Sequence, residues 1–125
     1  MSSLTIVNFN ASRTRNLQKL EFFLQFLKSY NPSIVTIQEI NVESALKIFS
    51  SNFQIIINIE MEAKDGVGIV TLVKKGITII DSIIGRNGRI IGTKVKDIQI
   101  WNVYPKSGSA FKKEREIFLE KNYAF

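Results

Sequence analysis

Two β-branched runs joined through one amphipathic helix constrain this chain more than any other feature. LTIVNF, residues 4–9, is apolar and partly alternating, as a strand should be. The polar stretch ASRTR breaks it, and NLQKLEFFLQFLKSY follows, with Leu17, Leu20, Leu24 and Leu27 at helical spacing and Phe23 beside them. Asn31-Pro32 ends that helix, and IVTIQE opens a second strand at Ile34. Strand, helix, strand is a βαβ unit, and a right-handed crossover makes its strands parallel. Strands this apolar predict a sheet covered on both faces.

The remainder changes period. VESALKIF, residues 42–49, is a short helix, and FQIIINIEM, GVGIVTLVKK, ITIIDSII, RIIGTKVK and IQIWNVY read as five strands of an antiparallel meander. Lys75-Gly76 and Asn87-Gly88 are hairpin signals, and KDIQ at 96–99 is a further turn. Asp65-Gly66 is either another turn or a loop entering a strand. SAFKKEREIFLEKNYAF closes the chain as a helix with Ser109 as N-cap. No linker or repeat interrupts this order, so residues 1–125 form one α/β (α+β) domain with a mixed sheet. The apolar ending Tyr123, Ala124 and Phe125 follows the last helix where another strand is expected, which suggests a domain cut short at its C-terminus.

Which chemistry is open to the chain depends on what it lacks. There is no histidine and no cysteine among its 125 residues. That excludes a histidine triad, a His- or Cys-ligated metal and any disulfide-linked partner. It fits a reducing, intracellular compartment, nuclear or cytoplasmic. No run of about 18 apolar residues is present, so no membrane-spanning helix is expected. Carboxylates, amides, phenols, Lys and Arg must do any chemistry. The formal charge of +6 suits either plain solubility or a polyanionic partner such as DNA.

Three strands carry polar groups at their C-terminal ends: Asn8 and Asn10, then Gln38 and Glu39, then Asn102 and Tyr104. Ligand sites in open α/β sheets gather beyond such ends. A carboxylate with amide oxygens suits Mg²⁺ or Mn²⁺, and a phenol can donate to a phosphate oxygen. The plainer reading is that the amides start turns and the tyrosine packs.

The ordered set LTIVNFNASR, PSIVTIQEIN, DGVGIVTLVKKGI and IQIWNVYPKSGSAFKKEREIFLEK resembles the endonuclease/exonuclease/phosphatase superfamily, most closely the endonuclease domains of non-LTR retrotransposons. The resemblance covers essentially the whole chain, which corresponds to the N-terminal half of that family's four-layer α/β sandwich. It implies Mg²⁺-dependent phosphodiester cleavage, with Glu39 as principal metal ligand, Asn8 beside it in the metal's shell and Tyr104 at the scissile phosphate. It also implies DNA as partner, with Asn10, Lys94, Lys96 and Lys106 as candidate contacts. The family's second half would supply Asp-x-Asn, an Asn/Asp site and an Asp-His pair. None is present here, so the resemblance implies a half-site with weak metal binding, inactive alone. The loop after Tyr104 also departs: Pro105 follows the tyrosine directly, where the family has a small residue first.

Other residues have competing readings. Arg115 anchors the last helix or is solvated, and Trp101 packs in the core. Lys74, Lys75, Arg86, Arg89, Lys94 and Lys96 either track phosphates or protect strand edges. The alternatives to an endonuclease are a non-catalytic nucleic-acid-binding remnant and a phosphatase or lipid phosphodiesterase of the same superfamily.

Overall fold

The computed structural model describes residues 3–61 and 64–105. The expected closing helix, with Ser109, Arg115 and Lys106, lies outside them. Ten elements run β1 (Ile6–Asn10), α1 (Leu17–Tyr30), β2 (Ile34–Asn41), α2 (Val42–Phe49), β3 (Phe53–Ile59), β4 (Val67–Lys74), β5 (Asp81–Gly85), α3 (Arg86–Arg89), β6 (Ile90–Val95) and β7 (Ile98–Val103).

Helix α1 starts where its cap dictates. The Asn16 side chain accepts hydrogen bonds from the amides of Gln18 and Lys19, filling two otherwise unpaired donors. It stops at Asn31, whose amide still donates to the Leu27 carbonyl while its left-handed φ of 60° turns the chain out of the helix before Pro32. Leu20, Leu24 and Leu27 are buried, whereas Leu17 is 44% exposed. The expected four-leucine stripe is therefore three long, with Leu17 left out at the first helical position. Phe23 stacks on Phe9 of β1 with ring centroids 4.0 Å apart.

The βαβ unit closes as expected: β1 and β2 are parallel, with Ile6 opposite Ile34 and Asn10 opposite Gln38. The five-strand meander is not one sheet. β3 and β4 join the first pair in a mixed sheet ordered β1-β2-β4-β3, while β5-β6-β7 form a separate antiparallel sheet. The reason lies after Lys75-Gly76, read above as a hairpin. Ile77 and Ile79 instead pack into the apolar cluster of Ile34, Val73, Val95 and Ile100, which carries the chain from one sheet to the other. The Asn87-Gly88 and Lys96-Asp97 turns do close antiparallel pairs, with Gly85 opposite Ile90 and Val95 opposite Ile98. Asp65-Gly66 is the loop entering β4.

Two cores result. The larger lies between the mixed sheet and helices α1 and α2, around Leu20, Leu24, Leu27, Val35, Ile37, Ala45, Phe49, Val70 and Leu72. The smaller lies between the two sheets. Strand β2 is thus covered on both faces. Trp101 is not in either core. It is 44% exposed, opposite Gly92 on the outer face of the second sheet, and a Cβ on that glycine would stand 2.6 Å from its ring. No helix among the described residues is long and apolar enough to cross a membrane.

Candidate functional site

Parallel pairing sends the C-terminal ends of β1 and β2 to the same edge of the molecule, and the end of β7 meets them there across the sheet–sheet interface. Buried amides make the junction. Gln38 Nε2 donates to Asn8 Oδ1 at 2.7 Å and to Asn102 Oδ1 at 2.9 Å. Asn102 Nδ2 donates onward to the Val70 carbonyl at 2.8 Å and to Thr71 Oγ1 at 3.2 Å. Asn102 is 1% exposed and Gln38 is 7% exposed. Desolvated amides with their partners in place hold one geometry. Asn8 Oδ1 also accepts from Thr36 Oγ1 at 2.8 Å, so this oxygen carries two donors and has no lone pair in the amide plane to spare.

Glu39 does not end its strand, as the sequence suggested. β2 runs on to Asn41, and Glu39 occupies a bulge where the register with β4 slips between Ile37 and Ile40. Both isoleucines belong to the helix-side core. Three residues apart, they can share a face only if one residue is extra. That residue is Glu39, held at φ 52°. The bulge turns its carboxylate out of the sheet, where it accepts a hydrogen bond from the Tyr104 hydroxyl. Arg13 Nε lies 3.8 Å from the same carboxylate, and Arg13 Nη1 is 2.9 Å from Asp65 Oδ2.

Backbone bonds fix this arrangement. The Arg13 amide donates to the Glu39 carbonyl at 2.7 Å and the Ala11 amide to the Gln38 carbonyl at 2.9 Å. Ser12 and Arg13 share positive φ with Glu39, three of the five non-glycine residues with positive φ among those described, the others being Asn31 and Lys96. Strained backbone concentrated at one corner is a mark of functional sites. Asn41 anchors the far side. It caps α2 through the Ser44 amide and donates to the Asp65 carbonyl, which Arg15 also reaches at 2.8 Å. Beside it a cleft of about 540 Å³ is lined by Arg15, Asn41, Glu43, Lys47 and Lys64, among others.

The candidate residues therefore divide. Asn8, Gln38, Glu39, Asn102 and Tyr104 converge. Asn10 is at the same edge, but its side chain caps its own turn, accepting from the Ser12 amide at 2.8 Å. Lys94 and Lys96 lie at the opposite end of β6. Lys94 is five positions on from Arg89, which pairs with Tyr104, a distance of roughly 17 Å along an extended chain. Arg89 is not a surface cation tracking phosphates. It forms a 2.9 Å ion pair with Glu60, and both side chains are largely buried. Arg13, Asp65 and Glu60 were missed by sequence reasoning, since their partners lie 26 to 52 residues away and no local pattern joins them.

Among the described residues no three His, Cys, Asp or Glu side chains come together. The corner offers one carboxylate, Glu39, with a neighbouring phenol and guanidinium. That set fits a hard divalent cation only in part, as one protein oxygen for an ion such as Mg²⁺ that keeps several waters.

No protein-family model matches the chain, and no curated protein matches it. Solved structures do. D. rerio TDP2 complexed with single-strand DNA product matches over 97% of this chain and 55% of its own, at 18% identity and TM-score 0.64. The 3′ phosphatase NExo from Neisseria, bound to product DNA hairpin, matches over 98% of this chain and 49% of its own, at 18% identity and TM-score 0.66. A Bacteroides thetaiotaomicron mannosyl-6-phosphatase matches over 95% and 58%, at 14% identity and TM-score 0.68. The chain shares their fold and spans about half their length.

Proposed function

We propose that this chain, which carries about half of the endonuclease/exonuclease/phosphatase fold, supplies the N-terminal part of a single phosphodiester-cleaving domain of the retroelement endonuclease type, acting on DNA. The observation that carries the reading is the meeting of Glu39, Tyr104 and Arg13 at one polar corner, at the bulge of β2 and just beyond the ends of β1 and β7. Two DNA-bound proteins of the same fold and a formal charge of +6 favour DNA as the phosphodiester.

Glu39 is the residue that would hold Mg²⁺ or Mn²⁺, and the ion, when bound, supplies charge stabilisation at a phosphate oxygen. Tyr104 presents a hydroxyl that can leave Glu39 and donate to a phosphate oxygen as charge grows there. Arg13, shared between Glu39 and Asp65, brings a guanidinium whose fork matches phosphate geometry. Asn8, Gln38 and Asn102 orient the corner, and the two bonds on Asn8 Oδ1 give that residue an orienting part beside Glu39. Nothing among the described residues activates a water. The reading therefore expects no cleavage by this chain alone.

Mn²⁺ relaxation enhancement tests the reading. The parent chain should bind weakly, and Glu39→Gln should bind about 10-fold more weakly still or worse. Tyr104→Phe should bind at least as well as the parent, because it removes a donor competing for the same carboxylate. Equal binding by parent and Glu39→Gln would remove Glu39 from the role.

A further inference from the structure

We infer that Arg89 is a positioning residue for Tyr104, braced by the Glu60 carboxylate, and that this brace aims the phenol into the corner. The inference rests on the reading of Tyr104 as the phosphate-facing donor.

The contacts between Arg89 and Tyr104 are of three kinds. The Tyr104 amide donates to the Arg89 carbonyl at 2.8 Å. Arg89 Nη1 donates to the Tyr104 carbonyl at 3.4 Å. The guanidinium carbon lies over the Tyr104 ring, 5.2 Å from its centroid, within the range of a cation–aromatic contact. The Arg89 side chain thus holds the Tyr104 carbonyl and ring face, while the Arg89 backbone carbonyl holds the Tyr104 amide. The other terminal nitrogen of the same guanidinium, Nη2, is locked by the 2.9 Å pair to Glu60, with side chains 11% and 18% exposed. A planar guanidinium can bind a carboxylate with one edge and stack on a ring with its face at once, which an ammonium cannot.

The brace is itself anchored in the other sheet. Asn58 of β3 donates to the carbonyls of Gly85 at 3.0 Å and Ile90 at 2.9 Å, and accepts from the Gly88 amide at 2.9 Å. The α3 turn is therefore bolted to β3, two residues before Glu60. A Cβ on Gly88 would stand 2.9 Å from the Glu60 backbone nitrogen, so the turn fits close against that strand. Tyr104 reaches Glu39 of the mixed sheet from a strand of the second sheet, and this junction sets the angle of its approach.

The test reads Tyr104 directly. Protein labelled with ring-¹³C tyrosine gives three tyrosine signals, of which Tyr104 is assigned by its loss in Tyr104→Phe. Arg89→Met alone leaves Glu60 buried without its partner, a change large enough to prevent folding, so Arg89→Met/Glu60→Met, which removes both charges, is made beside it. In the folded double variant the Tyr104 signal should move toward that of free tyrosine, and nitration of Tyr104 by tetranitromethane should quicken roughly tenfold, the scale of a desolvated cation–aromatic contact. Arg89→Lys keeps a cation for Glu60 and should fall between the two. An unchanged signal and nitration rate in the folded double variant would overturn the inference. So would failure of both the double variant and Arg89→Lys to fold, since the pair would then serve the fold and not the tyrosine. Neither readout needs metal or DNA. The inference can therefore fail while Glu39 binds Mn²⁺ as proposed, and it can hold while Glu39 binds none.

Discussion

Replacing Asn102 by alanine is expected to lower the free energy of unfolding by about 3 kcal/mol. Its side chain links β7 to the Val70 carbonyl and Thr71 hydroxyl of β4 and to Gln38 of β2. Alanine would leave those groups desolvated and short of partners, with a small void between the sheets. Urea unfolding should show the loss as a lower midpoint at unchanged slope. Asn102→Asp should be no better, because it sets a carboxylate against the Val70 carbonyl oxygen in a buried site. A loss below about 1 kcal/mol for alanine would mean that the sheets are held by apolar contact alone.

Gly68→Ala is expected to cost about 3 kcal/mol by a different route. Gly68 pairs with Ile59, and a Cβ there would press on the Asn58 carbonyl oxygen and lie 2.7 Å from the Ile59 Cα. Both obstacles are backbone, so β3 must move away from β4. The end of β3 should lose amide-exchange protection more than α1 does. Uniform loss across the chain would point to general destabilisation and not to a parted strand pair.

Much of the framework was legible because local chemistry decides it. Asn16, Asn31 and Pro32 bound α1, the pattern of VESALKIF sets α2 at residues 42–49, and two β-branched runs around one helix imply a parallel pair. The division into two sheets was not legible. Alternation in ITIIDSII says that one side is apolar, but not that Ile77 and Ile79 enter a space between sheets. Trp101 misled for the same reason, since an aromatic on an alternating strand faces inward or outward with equal ease.

At the site, polar groups near strand ends picked out Asn8, Asn10, Gln38, Glu39, Asn102 and Tyr104; folding joins Asn8, Gln38 and Asn102 in one set of hydrogen bonds and Glu39 with Tyr104 in another, while Asn10 caps its own turn. The bulge left a trace that went unread: Ile37 and Ile40 are spaced three apart in a strand of period two. Arg13, Glu60, Asp65 and Arg89 left none, because their partners are assembled only by tertiary structure.

The left-handed backbone of Glu39 has a consequence for what selection can do at that position. A glutamate at φ 52° carries a local penalty of about 1 kcal/mol that glycine would avoid, and asparagine would carry less of it. A library randomised at position 39 and sorted for protease resistance should therefore enrich small or αL-tolerant residues. The same library sorted for Mn²⁺ binding should return to the acid. On the proposed metal-holding role of Glu39, folding and chemistry favour different side chains at this one place, so the two sorted populations should diverge there.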